Sequence, residues 1–180
     1  MEFQELLEAR RSIRKYNPEK KINEAVIKEL IYAAQQAPSW KNSQTARYYC
    51  ILSEDMLKKF KKECLPEFNA NNCDGAAALI VAAFVKNRAG FERATGEPTN
   101  ELGNGWGCYD LGLANENLIL KARELGLGTL IMGIRDAEKI AGLLEIPDDN
   151  IIVSVIAVGY PDIAPEKPKR KETDEIVRFY

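Results

Sequence analysis

An α+β or α/β fold, one sheet covered by helices, is what this sequence predicts, and three observations lead there. Four apolar runs of strand-like length are spread along the chain, with helical apolar spacings between them rather than in a separate block. Apolar residues make up 46% and charged residues 29%, the balance of a chain that buries a core. A length of 180 residues makes one domain over 1–180 the expectation.

Taken in order, each element carries its own signal. Phe3, Leu6 and Leu7 give "FQELLEAR" a helical spacing, and Asn17 with Pro18 breaks the chain after it. Asn23 caps a second helix over 24–37, whose apolar face is Val26, Ile27, Leu30, Ile31 and Ala34, and Pro38 stops it. "RYYCILS" (47–53) reads as a strand, and Ser53 followed by Glu54 and Asp55 opens the helix "EDMLKKFKKECL". The run "AAALIVAAFV" (76–85) reads as a buried strand, although periodicity alone also permits a buried helix. Residues 86–105 are polar and rich in Gly, Pro, Asn and Thr, which predicts a long loop serving as a lid or a wall of a site.

A helix over 107–125 shows Leu111, Ala114, Leu118 and Ala122 on one face and ends at Gly126. "LGTLIMGI" follows as a strand, Asp136 caps "AEKIAGLLEI", and Pro147 closes that helix. "NIIVSVIAVGYP" is the last long strand, ended by Gly159 and Pro161. A basic, proline-containing tail then runs to Tyr180. No internal repeat or low-complexity segment interrupts this order.

Several function classes drop out on composition. A net charge of −2 leaves no broad basic field, so a nucleic-acid role would need a local patch. The longest apolar runs are too short to span a bilayer, and "MEFQELLEAR" lacks the charged-then-apolar pattern of a signal peptide. A soluble, cytoplasmic protein with no membrane partner is the expectation. There is no histidine, which removes the usual general base and the commonest neutral metal ligand. Cys50, Cys64, Cys73 and Cys108 show no CxxC pairing and read as structural or incidental thiols, so no metal site is expected. Whatever reaction occurs must be run largely by something the chain binds.

Three stretches carry candidate chemistry. In "EARRSIRKYN", Arg10, Arg11, Arg14 and Lys15 crowd the end of the first helix. One reading is a solvated helix end, where cations suit the negative pole of the dipole. The other follows from alternation: in an extended segment Arg10, Ser12 and Arg14 project to one side, away from Ile13. Two guanidinium forks with a hydroxyl between them suit a phosphate. "KPKRK" (167–171) offers a second cationic group that could reach the same phosphate only through folding, and is otherwise a solvated tail. "QQAPSWKNSQ" (35–44) packs amide and hydroxyl groups into a turn, which Asx and Ser turns also explain. The glycines of "GNGWGCYDLG" and "GLGTLIMG" are in the wrong order for a dinucleotide fingerprint and read as a helix cap and close backbone packing.

Together these stretches resemble the nitroreductase family of FMN-dependent oxidoreductases. "RRSIRKY" resembles the family's N-terminal Arg-Arg-Ser-x-Arg motif, and "APSWKNSQ" its Ala-Pro-Ser-x-x-Asn-x-Gln motif. "LGLGTLIMG" is similar to the segment preceding the strand that borders the flavin, and "VGYP" with "KPKRKETDEIV" to the C-terminal end and its phosphate-contacting tail. The matches occur in family order over nearly the whole chain. The resemblance implies an α+β fold, an antiparallel sheet packed by helices, in an intertwined homodimer whose 164–180 tail wraps the partner. It implies FMN as cofactor, NADH or NADPH as electron donor, and a small aromatic acceptor such as a nitroaromatic or quinone, in ping-pong order.

Residue by residue, the resemblance puts Arg10, Arg11 and Ser12 at the FMN phosphate, Arg14 at the pyrimidine edge, and Met132 and Gly133 near the redox edge of the ring. Pro38, Ser39, Trp40, Asn42 and Gln44 belong to the motif that the partner subunit brings to the ring. Lys169, Arg170 and Lys171 complete the phosphate shell, and Asn71 or Asn72 is within reach of the flavin. Trp40 is bulkier than the small residue often found there, and 64–75 and 86–105 match no family motif. No catalytic side chain is expected, because hydride chemistry is what such a cofactor brings. A non-catalytic flavin sensor or carrier is the alternative. A binder of RNA or polyphosphate would need aromatics interleaved with cations, and only Tyr16 qualifies.

Overall fold

The longest apolar run becomes one of the two inner strands of the sheet. The computed structural model describes residues 2–180, and its four strands are β1 (Ala46–Ile51), β2 (Ala78–Val85), β3 (Gly128–Met132) and β4 (Asn150–Gly159). They pair antiparallel throughout in the order β1-β2-β4-β3. With both edges of β2 hydrogen-bonded, the helical alternative for that run falls. Seven of its eight residues are buried, because helices cover both faces of the sheet.

The period of two divides β2 between the two layers. Leu79, Val81 and Ala83 face a core built with Phe60, Leu130, Met132 and Ile140, beneath α3 (Glu54–Cys64) and α6 (Ala137–Leu144). Ala78, Ile80, Ala82 and Phe84 face a second core with Ile27, Leu30, Leu111 and Leu118, beneath α2 (Glu24–Gln35) and α5 (Gly105–Glu124). The short α1 (Phe3–Ala9) packs beside α5 and α4 (Glu67–Asn72) beside α3, and α7 (Thr173–Ile176) lies in the tail.

Most helix ends follow their sequence signals. The Asn23 side chain accepts from Val26 N–H at 3.1 Å, and Asp136 from Lys139 N–H at 3.0 Å. Gly126, at φ +75°, closes α5 with bonds from its own N–H to Arg123 O (3.0 Å) and from Leu127 N–H to Ala122 O (2.8 Å). Ser53 precedes α3 but its hydroxyl makes no capping bond, and Glu54 and Asp55 in the first turn suit the positive pole of the helix dipole. α5 begins two residues earlier than predicted, and Gly107 explains the close fit: a Cβ there would lie 2.2 Å from the Phe84 ring.

Residues 86–104 are turns, bends and irregular backbone with one isolated bridge between Phe91 and Pro98, so the predicted loop gives up only Gly105, to α5. α4, the 3-10 turn Trp40–Asn42 and α7 were not predicted; six, three and four residues are too few to show a period. Cys50 is exposed on edge strand β1, whereas Cys64 and Cys73 are buried. All four cysteines are unbridged. Among the described residues no helix is long and apolar enough to cross a membrane, and no cluster of three metal-ligating side chains occurs.

Candidate functional site

The chain after α1 runs extended alongside the sheet. Ser12 bridges Thr129 in parallel, and Ile13 N–H donates to Thr129 O at 2.9 Å. Further on, Tyr16 bridges Pro161, and Asn17 N–H donates to Tyr160 O at 2.9 Å. Ile13 is 6% exposed and packs directly on Gly128, where an added Cβ would stand 2.5 Å from its Cγ1. The glycine of "GLGT" therefore serves the close backbone approach expected of it. Tyr16 is buried as well, its hydroxyl donating to Ile13 O at 2.9 Å, and burial pushes its pKa well above the ordinary tyrosine range.

With Ile13 turned in, Ser12 and Arg14 turn out and Arg10 is half-buried. A cleft of about 310 Å³ is lined there by Arg10, Arg11, Ser12 and Arg14 and, from the tail, by Pro165, Glu166, Pro168 and Arg170. Folding thus joins two cationic groups that lie far apart in the sequence. Of the three tail cations only Arg170 lines the cleft; Lys169 and Lys171 are exposed beyond it. Arg11 is partly committed elsewhere, since its Nη1 donates to Glu8 O and Arg10 O at 2.6 Å and so closes the end of α1.

At the far end of β3, Met132 is buried in the core, while Gly133 is exposed with open space where a Cβ would stand. Asn71 lies on the exposed side of α4. The inward residue of that helix is Asn69, whose Nδ2 donates to Ile134 O at 2.8 Å and fixes the backbone just past Gly133. No periodic signal marks so short a helix, so its one buried asparagine could not be told from its neighbours in the sequence.

The 38–44 turn lies elsewhere in the protomer. Pro38, Ser39 and Gln44 line a cavity of about 340 Å³ together with Thr45, Tyr48 and Asp110, and this cavity shares no residue with the arginine cleft. Trp40 packs against Trp106 with ring centroids 4.5 Å apart and planes tilted by 49°, and Trp106 meets Tyr109 edge-on at 5.7 Å. Lys41 Nζ lies 3.9 Å from Glu92. Trp106 and Tyr109 belong to α5, and the 86–105 loop reaches this turn through Glu92, with Arg88, Phe91 and Arg93 facing Trp40 and Lys41 across a cavity of about 290 Å³. Asn42 is exposed, and its Oδ1 accepts from Gln44 Nε2 at 3.2 Å. Burial pushes the Asp110 carboxyl pKa up, opposed by the Trp40 N–H that it accepts and by the nearby Ser43 hydroxyl.

A family model described as the nitroreductase family matches residues 7–160. A protein of Archaeoglobus fulgidus bearing the name NADH dehydrogenase/NAD(P)H nitroreductase is 29% identical over 160 residues, covering 87% of this chain and 83% of its own. The solved structure of a nitroreductase family protein from Streptococcus pneumoniae TIGR4 superposes with a TM-score of 0.83 at 21% identity, covering 99% of this chain and 100% of that one. A second solved structure, called an oxidoreductase containing FMN, gives a TM-score of 0.75 at 22% identity, covering 91% of this chain and 79% of that one. At those identities the two structures speak for the fold.

Proposed function

Because the chain belongs to the nitroreductase family of NAD(P)H oxidoreductases, we propose that it binds FMN and passes reducing equivalents from NADH or NADPH to a small aromatic acceptor, a nitroaromatic or a quinone. The observation that carries this is the cleft where Arg10, Ser12 and Arg14 meet Arg170. Three guanidinium groups and a hydroxyl suit a phosphate dianion, since Arg forks bind phosphate oxygens in pairs. The open face at Gly133 leaves room for a planar ring against the backbone. An FMN-containing protein of the same fold supports the choice of ligand. When bound, the flavin would supply the hydride chemistry that a histidine-free chain has few side chains to run.

The remaining work belongs to the chain. Arg10, Ser12 and Arg170 would hold the phosphate, with Arg11 closing α1 behind them. Arg14 would place a positive charge at the pyrimidine edge, where it favours the anionic reduced ring. Gly133 is exposed at the end of β3, and its main-chain N–H would be the donor toward the redox edge that the family resemblance implies. Pro38, Ser39 and Asn42 lie in a different part of the protomer from the arginines, which fits their action on the site of a second copy in a homodimer. Exposed Ile176 and Phe179 on the tail are the apolar groups such a partner would cover. With one open face, donor and acceptor would take turns there, giving ping-pong kinetics.

The test is the purified protein itself. It should be yellow, release FMN on denaturation, and bleach on addition of NADH or NADPH. A colourless protein that gains no flavin when FMN is added would end this reading, and bound FMN that neither nucleotide bleaches would favour a flavin carrier.

A further inference from the structure

Asp110 is a buried carboxylate outside the arginine cleft. It is 6% exposed, and its Oδ2 accepts the Trp40 N–H at 2.9 Å from a residue 70 positions earlier. Among the described residues it takes part in none of the ion pairs. A carboxylate withdrawn from water without a cation is costly, so a backbone amide with one hydroxyl nearby is an unusual setting to keep it for.

The loop it grips is strained. Lys41, Asn42 and Gln44 have φ of 45°, 53° and 49°, so three non-glycine residues out of four adopt the left-handed conformation. Such backbone persists only where its surroundings over-determine it. Bonds inside the loop contribute, from Ser43 N–H to Trp40 O (2.8 Å) and from Gln44 N–H to Ser39 Oγ (3.1 Å). Those bonds would travel with the loop if it moved. Asp110 ties the loop to α5, and α5 packs against the sheet.

We infer that Asp110 is a positioning residue, whose carboxylate holds the 38–44 loop in its strained form so that Ser39 and Asn42 are presented to the flavin of a second copy. This rests on the functional reading above. Asp110 acts through the loop and touches neither flavin nor substrate. A merely structural Asp110, filling space beneath α5, would leave the loop where it is when replaced by a residue of similar volume.

The two tryptophans of the chain, Trp40 and Trp106, are in direct ring contact, so intrinsic emission reports this loop. Asp110→Asn keeps an oxygen for the Trp40 N–H, and Asp110→Leu does not. The asparagine variant should keep the wild-type emission spectrum and FMN affinity. The leucine variant should shift the emission to the red and weaken FMN by about tenfold or more, the scale of one lost hydrogen bond to a charged group. If the leucine variant fails to fold, amide exchange on the wild-type protein decides. The Trp40 N–H should be protected like the amides of the sheet, and exchange at the rate of an open loop overturns the inference. A protein that binds no FMN would refute the functional reading, while emission and exchange still judge the grip on the loop. A yellow protein whose leucine variant keeps wild-type emission and FMN affinity overturns the role of Asp110 alone.

Discussion

Gly128→Ala tests how the segment proposed to bind the phosphate is held. The new Cβ would stand 2.5 Å from Ile13 Cγ1 and 3.0 Å from Ile13 Cβ. Carbon atoms rest about 3.5–4.0 Å apart, so roughly 1 Å must be found. Ile13 has little freedom to give it: its N–H is bonded to Thr129 O at 2.9 Å, and a β-branched side chain turns stiffly about χ1. Overpacking of this kind costs about 1–3 kcal/mol. At about 2–4 °C per kcal/mol for a chain of this length, the melting temperature should fall by about 4–8 °C for a central cost near 2 kcal/mol. Ile13→Ala alone removes three carbons at about 0.8 kcal/mol each and leaves a cavity, so about 2–5 kcal/mol should be lost.

The double variant is the informative one. With the Ile13 γ and δ carbons gone, the methyl introduced by Gly128→Ala fills part of their space, and the two losses should fall short of additive by about 1–2 kcal/mol. The four proteins are unfolded in urea at one protein concentration, with and without excess FMN. Ser12 and Arg14 flank Ile13, so FMN affinity should drop in both single variants and partly return in the double. Gly142→Ala is the control, because nothing lies within 4 Å of a Cβ there and the helix interior should gain up to about 1 kcal/mol. Additivity within about 0.5 kcal/mol would mean that the two residues do not press on each other, and would remove this account of the segment.

Other outcomes follow from the same geometry. Arg10→Ala with Ser12→Ala, and separately Arg170→Ala, should strip FMN from the purified protein, whereas Lys169→Ala should not; equilibrium flavin fluorescence ranks them, and equal losses would spoil the assignment of Arg170. Arg14→Gln should leave FMN bound but lower its two-electron potential by about 10–30 mV, the equivalent of about 0.5–1.4 kcal/mol for a solvent-screened charge; redox titration showing no shift returns Arg14 to the solvent. Deleting residues 164–180 removes Arg170 and the exposed Ile176 and Phe179, so sedimentation should show lost dimer and absorbance lost flavin. The hydrogen bond from Lys61 holds the Asp74 carboxyl below its ordinary value of 3.8. Its stabilisation is present above that value and is lost as pH falls through the lower folded one. Lys61→Met should therefore flatten the acid limb of the stability profile by less than about 1 kcal/mol, because Asp74 is largely exposed.

What the sequence made legible and what it hid divide by range. The strands, the Asn23 and Asp136 caps and the Gly126 stop are local events, set by residues within a few positions of each other, and local pattern was enough. The alternation of Arg10, Ser12 and Arg14 around Ile13 is local too, so the outward face of the segment could be read before the fold. The identity of the tail cation was not readable, because Lys169, Arg170 and Lys171 differ only in which one the 165–168 stretch brings back to the cleft. Asn69 escaped for want of a period in a six-residue helix. Asp110 escaped for a stronger reason. On α5 it stands three residues after Gly107 and one before Leu111, both buried, where an apolar residue would satisfy the helix pattern. Only the Trp40 amide, from another part of the chain, explains the acid. A polar residue that breaks an apolar face is thus a signal in itself: at Asp110 the violated pattern marks the contact that the fold supplies, and it falls beside the loop proposed to complete the site.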